Sequence, residues 1–301
     1  MATNKLKFGT ATPTKLYMGD SEVTKVYMGE TLVYETSQVY TDCLTFTGET
    51  SEFTLKATNK EWDGILEWSI DHTTWTTLIG TEAIQSVNKK LYLRGKGNTT
   101  FRNSNGIRWQ LSAKAGCSGN IQTLLDWENP PTSISSNYCY KRMFYHCTNL
   151  TTAPELPATI LSNYCYEEMF EVCTNLTTAP ELPATTLARA CYQRMFYDCT
   201  NLTRTPELPA TTLKSNCDAQ MFRGCTNLTT APELPATTLA SSCYYIMFKG
   251  CSKLKVNITS GTKIFTCPST IPPAAVDDMF LETGGTFTGT PTTGNTYYWT
   301  V

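Results

Sequence analysis

The chain predicts a mixed β and α/β solenoid architecture, and three observations carry that expectation. A 26-residue unit repeats head to tail from Cys139, Cys165, Cys191 and Cys217, with a decaying fifth copy at Cys243. Before it, residues 38–115 hold short alternating runs separated by turn residues, with no longer period. The N-terminus carries three decapeptides in register, KLKFGTATPT, KLYMGDSEVT and KVYMGETLVY. The expected partition is a short β-repeat tip over 1–37, a β-sandwich over 38–115, a solenoid over 116–263 and a C-terminal cap over 264–301.

Within the tip, alternation over Glu22 to Met28 reads as strand, and Gly19-Asp20 and Gly29-Glu30 read as turns. So short a segment cannot bury a core of its own. It is expected to dock on a larger assembly or to intertwine with copies of itself; a plain hairpin packed on the next domain is the alternative. In the spacer, Glu52 to Lys56, Ile65 to Ile70, Lys90 to Arg94 and Ile107 to Leu111 alternate as half-buried strands, which predicts an antiparallel, immunoglobulin-like sandwich. Trp62, Trp68, Trp75 and Trp109 are assigned to its core, the alternative being exposed rings that bind a sugar face.

Each rung reads as a short helix, a turn, a brief strand and a polyproline-like return. Cys165, Met169 and Cys173 fall at i, i+4 and i+8 with Phe170 beside them, one stripe of a helix facing the core. Asn175 is placed at the left-handed residue that ends the helix, and Leu176 starts the extended segment that Pro180 and Pro183 cut short. Cys165, Met169, Phe170, Cys173 and Leu176 are therefore core positions, buried only when rungs stack. After Lys263 the pattern dissolves. Asp278-Met279-Phe280 echoes a rung out of register, and Tyr297, Tyr298 and Trp299 are candidates to cover the last apolar face.

The units CYEEMFEVCTNLTTAPELPATTLARA and CYQRMFYDCTNLTRTPELPATTLKSN resemble the irregular leucine-rich repeats of the BspA type, found in surface proteins of Bacteroidota and in phages of gut bacteria. The likeness runs from about Gly116 to Lys263 and implies a leucine-rich-repeat-like solenoid. The leading segment KVYMGETLVY resembles the first pieces of virion proteins from phages of Bacteroidota. Together these resemblances imply a phage virion structural protein, a head or tail fibre or decoration component. Its tip, residues 1–37, would contact other virion proteins, its solenoid would adhere to a glycan or protein of the host surface, and a trimer is the expected assembly. A bacterial cell-surface adhesin of the same repeat family, or a capsid or tail component without ligand, are the alternatives.

Thirteen cysteines admit three readings: a ladder of buried thiols, disulfides between rungs, or zinc ligands. The first fits best, because same-face residues on one helix gain little from bridging, and there is no CxxC and only His72 and His146 to complete a zinc site. Glu155, Glu181, Glu207 and Glu233 line up if rungs stack, a ladder that water or lysines are expected to screen rather than a cation site.

No catalytic constellation, phosphate loop or HExxH is present, so the expectation is a protein that is not an enzyme and uses no cofactor and no metal. A net charge of −2 and the lack of a basic stripe beside the aromatics argue against nucleic acid. No apolar run reaches membrane length, and MATNKLKFGTATP lacks a hydrophobic centre, which predicts no secretory leader and assembly into a virion in the host cytoplasm.

A binding surface is expected where rungs differ. The candidates are the tyrosine column Tyr140, Tyr166, Tyr192 and Tyr244, interrupted by Asp218, together with Arg142, Glu168, Arg194, Tyr145 and Tyr197. Drift on an unconstrained solvent face is the alternative, and on that basis charge reversal at Glu168 is expected to leave thermal melting unchanged.

Overall fold

The computed structural model describes strands within residues 17–35 and, side chains included, residues 43–60, 62–101 and 108–300. The chain divides into two compact units, Met1–Thr41 and Asp42–Val301.

In the first unit, β1 (Tyr17–Met18) pairs antiparallel with β2 (Ser21–Glu22), and β3 (Lys25–Met28) with β4 (Thr31–Glu35). The single strand expected over Glu22 to Met28 is thus shared between two separate pairings, and the turns expected at Gly19-Asp20 and Gly29-Glu30 lie outside the described residues.

The second unit starts with two antiparallel sheets. One has five strands in the order β12-β5-β10-β7-β8: β5 (Leu44–Gly48), β7 (Ile65–Ser69), β8 (Thr76–Thr77), β10 (Lys90–Lys96) and β12 (Ala115–Ser118). The other has three, in the order β11-β6-β9: β6 (Thr54–Ala57), β9 (Ile84–Gln85) and β11 (Trp109–Leu111). Alternate residues of these strands point inward, so Leu44, Phe46, Leu55, Leu91, Leu93, Trp109 and Leu111 meet in one core. Trp62 and Trp109 are buried as expected. Trp75 is not core: it lies half-exposed over the Arg94 guanidinium, 3.9 Å away, while Trp127 covers Arg94 at 4.2 Å.

The chain is nearly all-β, and the expected α/β solenoid, leucine-rich-repeat-like with a helix in every rung, is not what the residues form. No α-helix occurs among the described residues; a four-residue 3₁₀ turn, Ile121–Leu124, is the one helical element. In place of each helix runs a chain of consecutive turns. Tyr138, Arg142 and His146 take φ of 63°, 59° and 57°, and the same left-handed step recurs every four residues at Tyr164, Glu168 and Val172, and at Ala190, Arg194 and Asp198. Between these steps the amides split into two sets. Lys141, Met143, Tyr145 and Cys147 donate to the carbonyls of Tyr138, Tyr140, Arg142 and Phe144, closing four-residue turns. Tyr138, Tyr140, Arg142, Phe144 and His146 instead donate to Asn163, Cys165, Glu167, Met169 and Glu171 of the next rung. From Tyr140 to Cys147 every amide is paired, half of them across rungs, which is how a left-handed backbone that costs roughly 1 kcal/mol per step is held.

The period explains why the segment is not helical. Buried residues come as doublets, Cys139-Tyr140, Met143-Phe144 and then Cys147, so the spacing is four residues. An α-helix turns in 3.6 residues, and its apolar stripe would drift at each step, whereas a four-residue turn keeps the doublets on one side. Asn175 does not take the left-handed conformation expected of it; its Nδ2 donates to Thr148 O of the preceding rung at 2.6 Å.

Stacking places like on like. Phe144, Phe170, Phe196, Phe222 and Phe248 stack in near-parallel steps of 5.6 Å. Cys165, Met169, Phe170, Cys173 and Leu176 are all fully buried, as their spacing predicts. The thirteen cysteines are buried free thiols. The second thiol of each rung after the first has a defined role: Cys173, Cys199, Cys225 and Cys251 donate to the carbonyls of Phe144, Phe170, Phe196 and Phe222 at 3.0–3.1 Å. Those carbonyls also accept an amide from their own rung, so the weak S–H donor fills their second lone pair. Burial raises all four of these thiols, and that of Cys147 in the first rung to about 12, which leaves them inert.

Both ends of the stack are closed. At the start, β12 belongs to the five-stranded sheet and also exchanges backbone bonds with Asn149 and Thr151, while Phe101 stacks on Tyr140 at 6.1 Å. At the far end, the echo at Asp278-Met279-Phe280 is a true sixth set of turns: Phe248 donates to Met279 O, and Phe280 stacks on Phe248 at 5.8 Å. A four-stranded sheet then covers it, in the order β14-β16-β13-β15, built from β13 (Lys255–Asn257), β14 (Thr262–Thr266), β15 (Gly284–Gly285) and β16 (Thr296–Thr300). Tyr297 of β16 is the buried cover, 5.6 Å from Phe280. Tyr298 and Trp299 are only half-buried there.

Candidate binding face

The tyrosine column expected on the surface lies inside. Tyr140, Tyr166, Tyr192 and Tyr244 are at most 2% exposed, and the first three stack at 5.8 and 6.0 Å. They are the second members of the first buried doublet in each rung, a position that a helical projection puts at the edge and a four-residue turn puts in the core. The half-exposed pair is instead Tyr138 and Tyr164, stacked 4.7 Å apart with Lys141 and Arg189 over them; the sequence reading passed over these two. Asp218 interrupts the buried column and leaves a cavity of about 10 Å³ between Tyr192 and Tyr244. Its Oδ2 accepts from the Cys217 thiol at 3.3 Å and its Oδ1 has no partner, so burial drives its carboxyl up to about 7.

The other five candidates do come together, on the turn side of the stack. Positions 142, 168 and 194 are one column, three left-handed residues whose side chains leave the backbone alike. Arg142 and Arg194 both reach Glu168: Arg142 Nε donates to its Oε2, and Arg194 Nη1 lies 3.6 Å from its Oε1. Glu168 is therefore not a free surface acid. Its side chain is 6% exposed, against 32% and 38% for the two arginines. The next column carries Tyr145 and Tyr197, two rungs apart, each faced by two guanidinium groups. Arg108 and Arg142 lie 4.5 and 5.3 Å from the Tyr145 ring, and Arg194 and Arg223 lie 5.6 and 5.2 Å from Tyr197. Between the tyrosines, Glu171 is buried with its Oε2 unpartnered, and desolvation brings its carboxyl up to about 7. Asp198 is likewise raised by burial.

The expectation that no basic stripe accompanies the aromatics is thus corrected. Arg142, Arg194 and Arg223 are far apart in sequence, and only the 26-residue stacking aligns them. Arg108 was missed because it lies outside the repeat; Arg223 carried a signal, since it falls 26 residues after Tyr197.

Beside Tyr145 a cleft of about 310 Å³ opens between the three-stranded sheet and the first rung. Lys56, Gln110, Ser112, His146 and Thr148 line it, with no carboxylate. The His146 ring packs against Tyr145 at 4.3 Å, and its pKa is lowered by burial and by the charge of Arg108.

The glutamate ladder behaves as a solvated ridge. Glu155, Glu181, Glu207 and Glu233 are exposed, Lys263 binds Glu233 at 2.9 Å, and no cluster of three or more His, Cys, Asp or Glu fit for a metal exists among the described residues.

This architecture defines an all-β stacked-repeat protein with a sandwich at one end and a sheet cap at the other. No family model matches the chain, and no curated protein or solved structure matches it either. No helix among the described residues is long and apolar enough to cross a membrane.

Proposed function

We propose that this chain is a structural protein of a bacteriophage particle, a fibre or decoration component, that displays its rung stack for adhesion to the host cell surface. It is a non-enzymatic binding protein in this reading. The supporting observation is the contrast within each rung: core positions repeat almost unchanged, while positions 142, 145, 168, 171, 194 and 197 vary and assemble into one face of stacked tyrosine and arginine. Tyrosine held rigidly between guanidinium groups gives contact area at low entropy cost, the property that suits weak recognition multiplied over many copies. The first unit, too small for an independent core, serves in this reading to attach the chain to other particle proteins and to join copies of itself, as a trimer.

The test is mass spectrometry of purified particles combined with adsorption competition by the full-length chain. Presence in particles and slower adsorption in the presence of excess protein are the expected results. Presence with unchanged adsorption reduces the protein to a component without ligand, and absence from particles overturns the proposal in favour of a bacterial surface protein.

A further inference from the structure

The adhesive reading leaves the ligand open, and the charge layout of the rung face narrows it. The net charge of the chain is −2, yet the return and the turn strip differ in charge, with Arg204 an exposed base on the return and Glu282, past the far end of the strip, faced by Lys249. The proline-rich return carries the exposed glutamates Glu155, Glu181, Glu207 and Glu233, of which Glu233 is bound by Lys263. The turn side carries Arg108, Arg142, Arg194 and Arg223 over two tyrosine rings. Its acids do not offset them outward. Glu168 is buried and already shared by two arginines, and Glu171 and Asp198 are recessed where desolvation favours their neutral forms. The arginines are the groups that reach solvent. At the sandwich end the strip runs into the 310 Å³ cleft, whose Lys56 adds positive charge beside the His146 ring and hydroxyl and amide donors.

We infer that this strip, from the cleft at Lys56 and His146 along Tyr145 to Tyr197 and Arg223, binds an acidic polysaccharide carrying carboxylate or phosphate groups. The inference rests on the adhesive reading and supplies its ligand class. A guanidinium presents a planar pair of donors that matches either anion. The two Arg-Tyr-Arg stacks lie two rungs apart, and the Phe ladder steps 5.6 Å per rung, so successive anionic groups of a linear chain laid along the stack meet cations at a fixed repeat. The tyrosine edges between them offer apolar contact to sugar rings.

The experiment measures binding of full-length protein to three immobilised probes, polygalacturonate, phosphomannan and neutral dextran, at low and high salt. Binding to one or both acidic polymers and not to dextran is expected, with affinity falling about tenfold or more as salt rises from 50 to 200 mM. The double substitution Arg108→Gln with Arg223→Gln should weaken it at least about tenfold. Neither residue holds Glu168, so the fold is retained, and thermal melting of the variant checks this. Glu181→Gln, on the ridge, should leave binding unchanged. Equal binding to dextran, no effect of the double substitution, or tighter binding to a single-stranded oligonucleotide than to both acidic polysaccharides at equal salt would each overturn the inference. Polysaccharide binding by a protein that fails to compete for adsorption would leave this site standing and remove the adhesive role. Competition without polysaccharide binding would do the reverse.

Discussion

Between Leu44 and Ser118 each strand has its own partner and its own core residues, so the sandwich is held by contacts that occur once. From Cys139 to Cys251 the same contacts recur every 26 residues, and half of the turn amides bond to the next rung rather than within their own. In the sandwich, then, a lost side chain leaves one cavity in a shared core. In the stack, a fault in one rung removes the platform on which two neighbours rest.

The largest expected effect contrasts the two regions directly. Cys199→Asp places a charge in the core, removes the thiol donor to Phe170 O and sits beside Asp198 and Glu171, which already act on this thiol. It should cost about 4 kcal/mol or more and raise amide exchange in the rungs on both sides. Phe53→Ala, fully buried in the sandwich, should cost about 3–5 kcal/mol with exchange rising across the sandwich and not in the rungs beyond Cys191. Hydrogen exchange that spreads equally in both variants would break the comparison.

Within the stack, the fourth rung is the exception, because Asp218 stands where its neighbours have tyrosine. A neutral carboxyl in the fold, near 7 against about 3.9 in the unfolded chain, means that the folded state holds a proton the unfolded state releases. Stability should therefore be full below about pH 4, fall by a few kcal/mol as pH rises towards 7, and level off above it. Among the described residues no cation faces this group: its titratable neighbours are the neutral thiols of Cys191, Cys217 and Cys243 and the neutral phenols of Tyr192 and Tyr244. Asp218→Asn should flatten much of that slope in melts taken from pH 4.5 to 8, leaving the smaller share that Glu171 contributes with the same sign. A slope identical to that of the unsubstituted protein would remove Asp218 from the account.

Charge reversal at Glu168 sharpens the point that the rung surface is only partly solvent. Its sequence context suggests a silent substitution, but Glu168→Lys would bury an ammonium group between Arg142 and Arg194. A loss of about 3 kcal/mol is expected in denaturant titration. The smallest effect concerns the backbone. Val172 is a β-branched residue at φ 60°, in a column where Gly224 and Gly250 occupy the same step. Val172→Gly should stabilise by about 0.5–1 kcal/mol, visible as a higher melting temperature, since relief of the left-handed strain exceeds the entropy that glycine loses.

Much of this molecule is legible in its residue types and their spacing. The rung boundaries, the core identity of Cys165, Met169, Phe170, Cys173 and Leu176, and the closing role of Tyr297 follow from repetition and apolar spacing. The helix was misread from the same spacing. Residues at i, i+4 and i+8 satisfy a helix and a four-residue turn equally, and only the doublets Cys139-Tyr140 and Met143-Phe144 separate them. That one choice moved the tyrosine column from the surface to the core.

By itself the sequence determined the period, the apolar positions and the places where rungs differ, because those are properties of residue type and spacing along one dimension. Which amides bond within a rung and which across, and hence that the backbone takes a left-handed step every fourth residue, was decided only when rungs stacked, since an isolated rung has no partner for half of its amides. The basic tyrosine strip belongs to the same category. Arg108, Arg142, Arg194 and Arg223 share a face because the sandwich and the rungs bring them there, and the acids beside them recede because burial in the stack, rather than their order in the chain, sets their solvation.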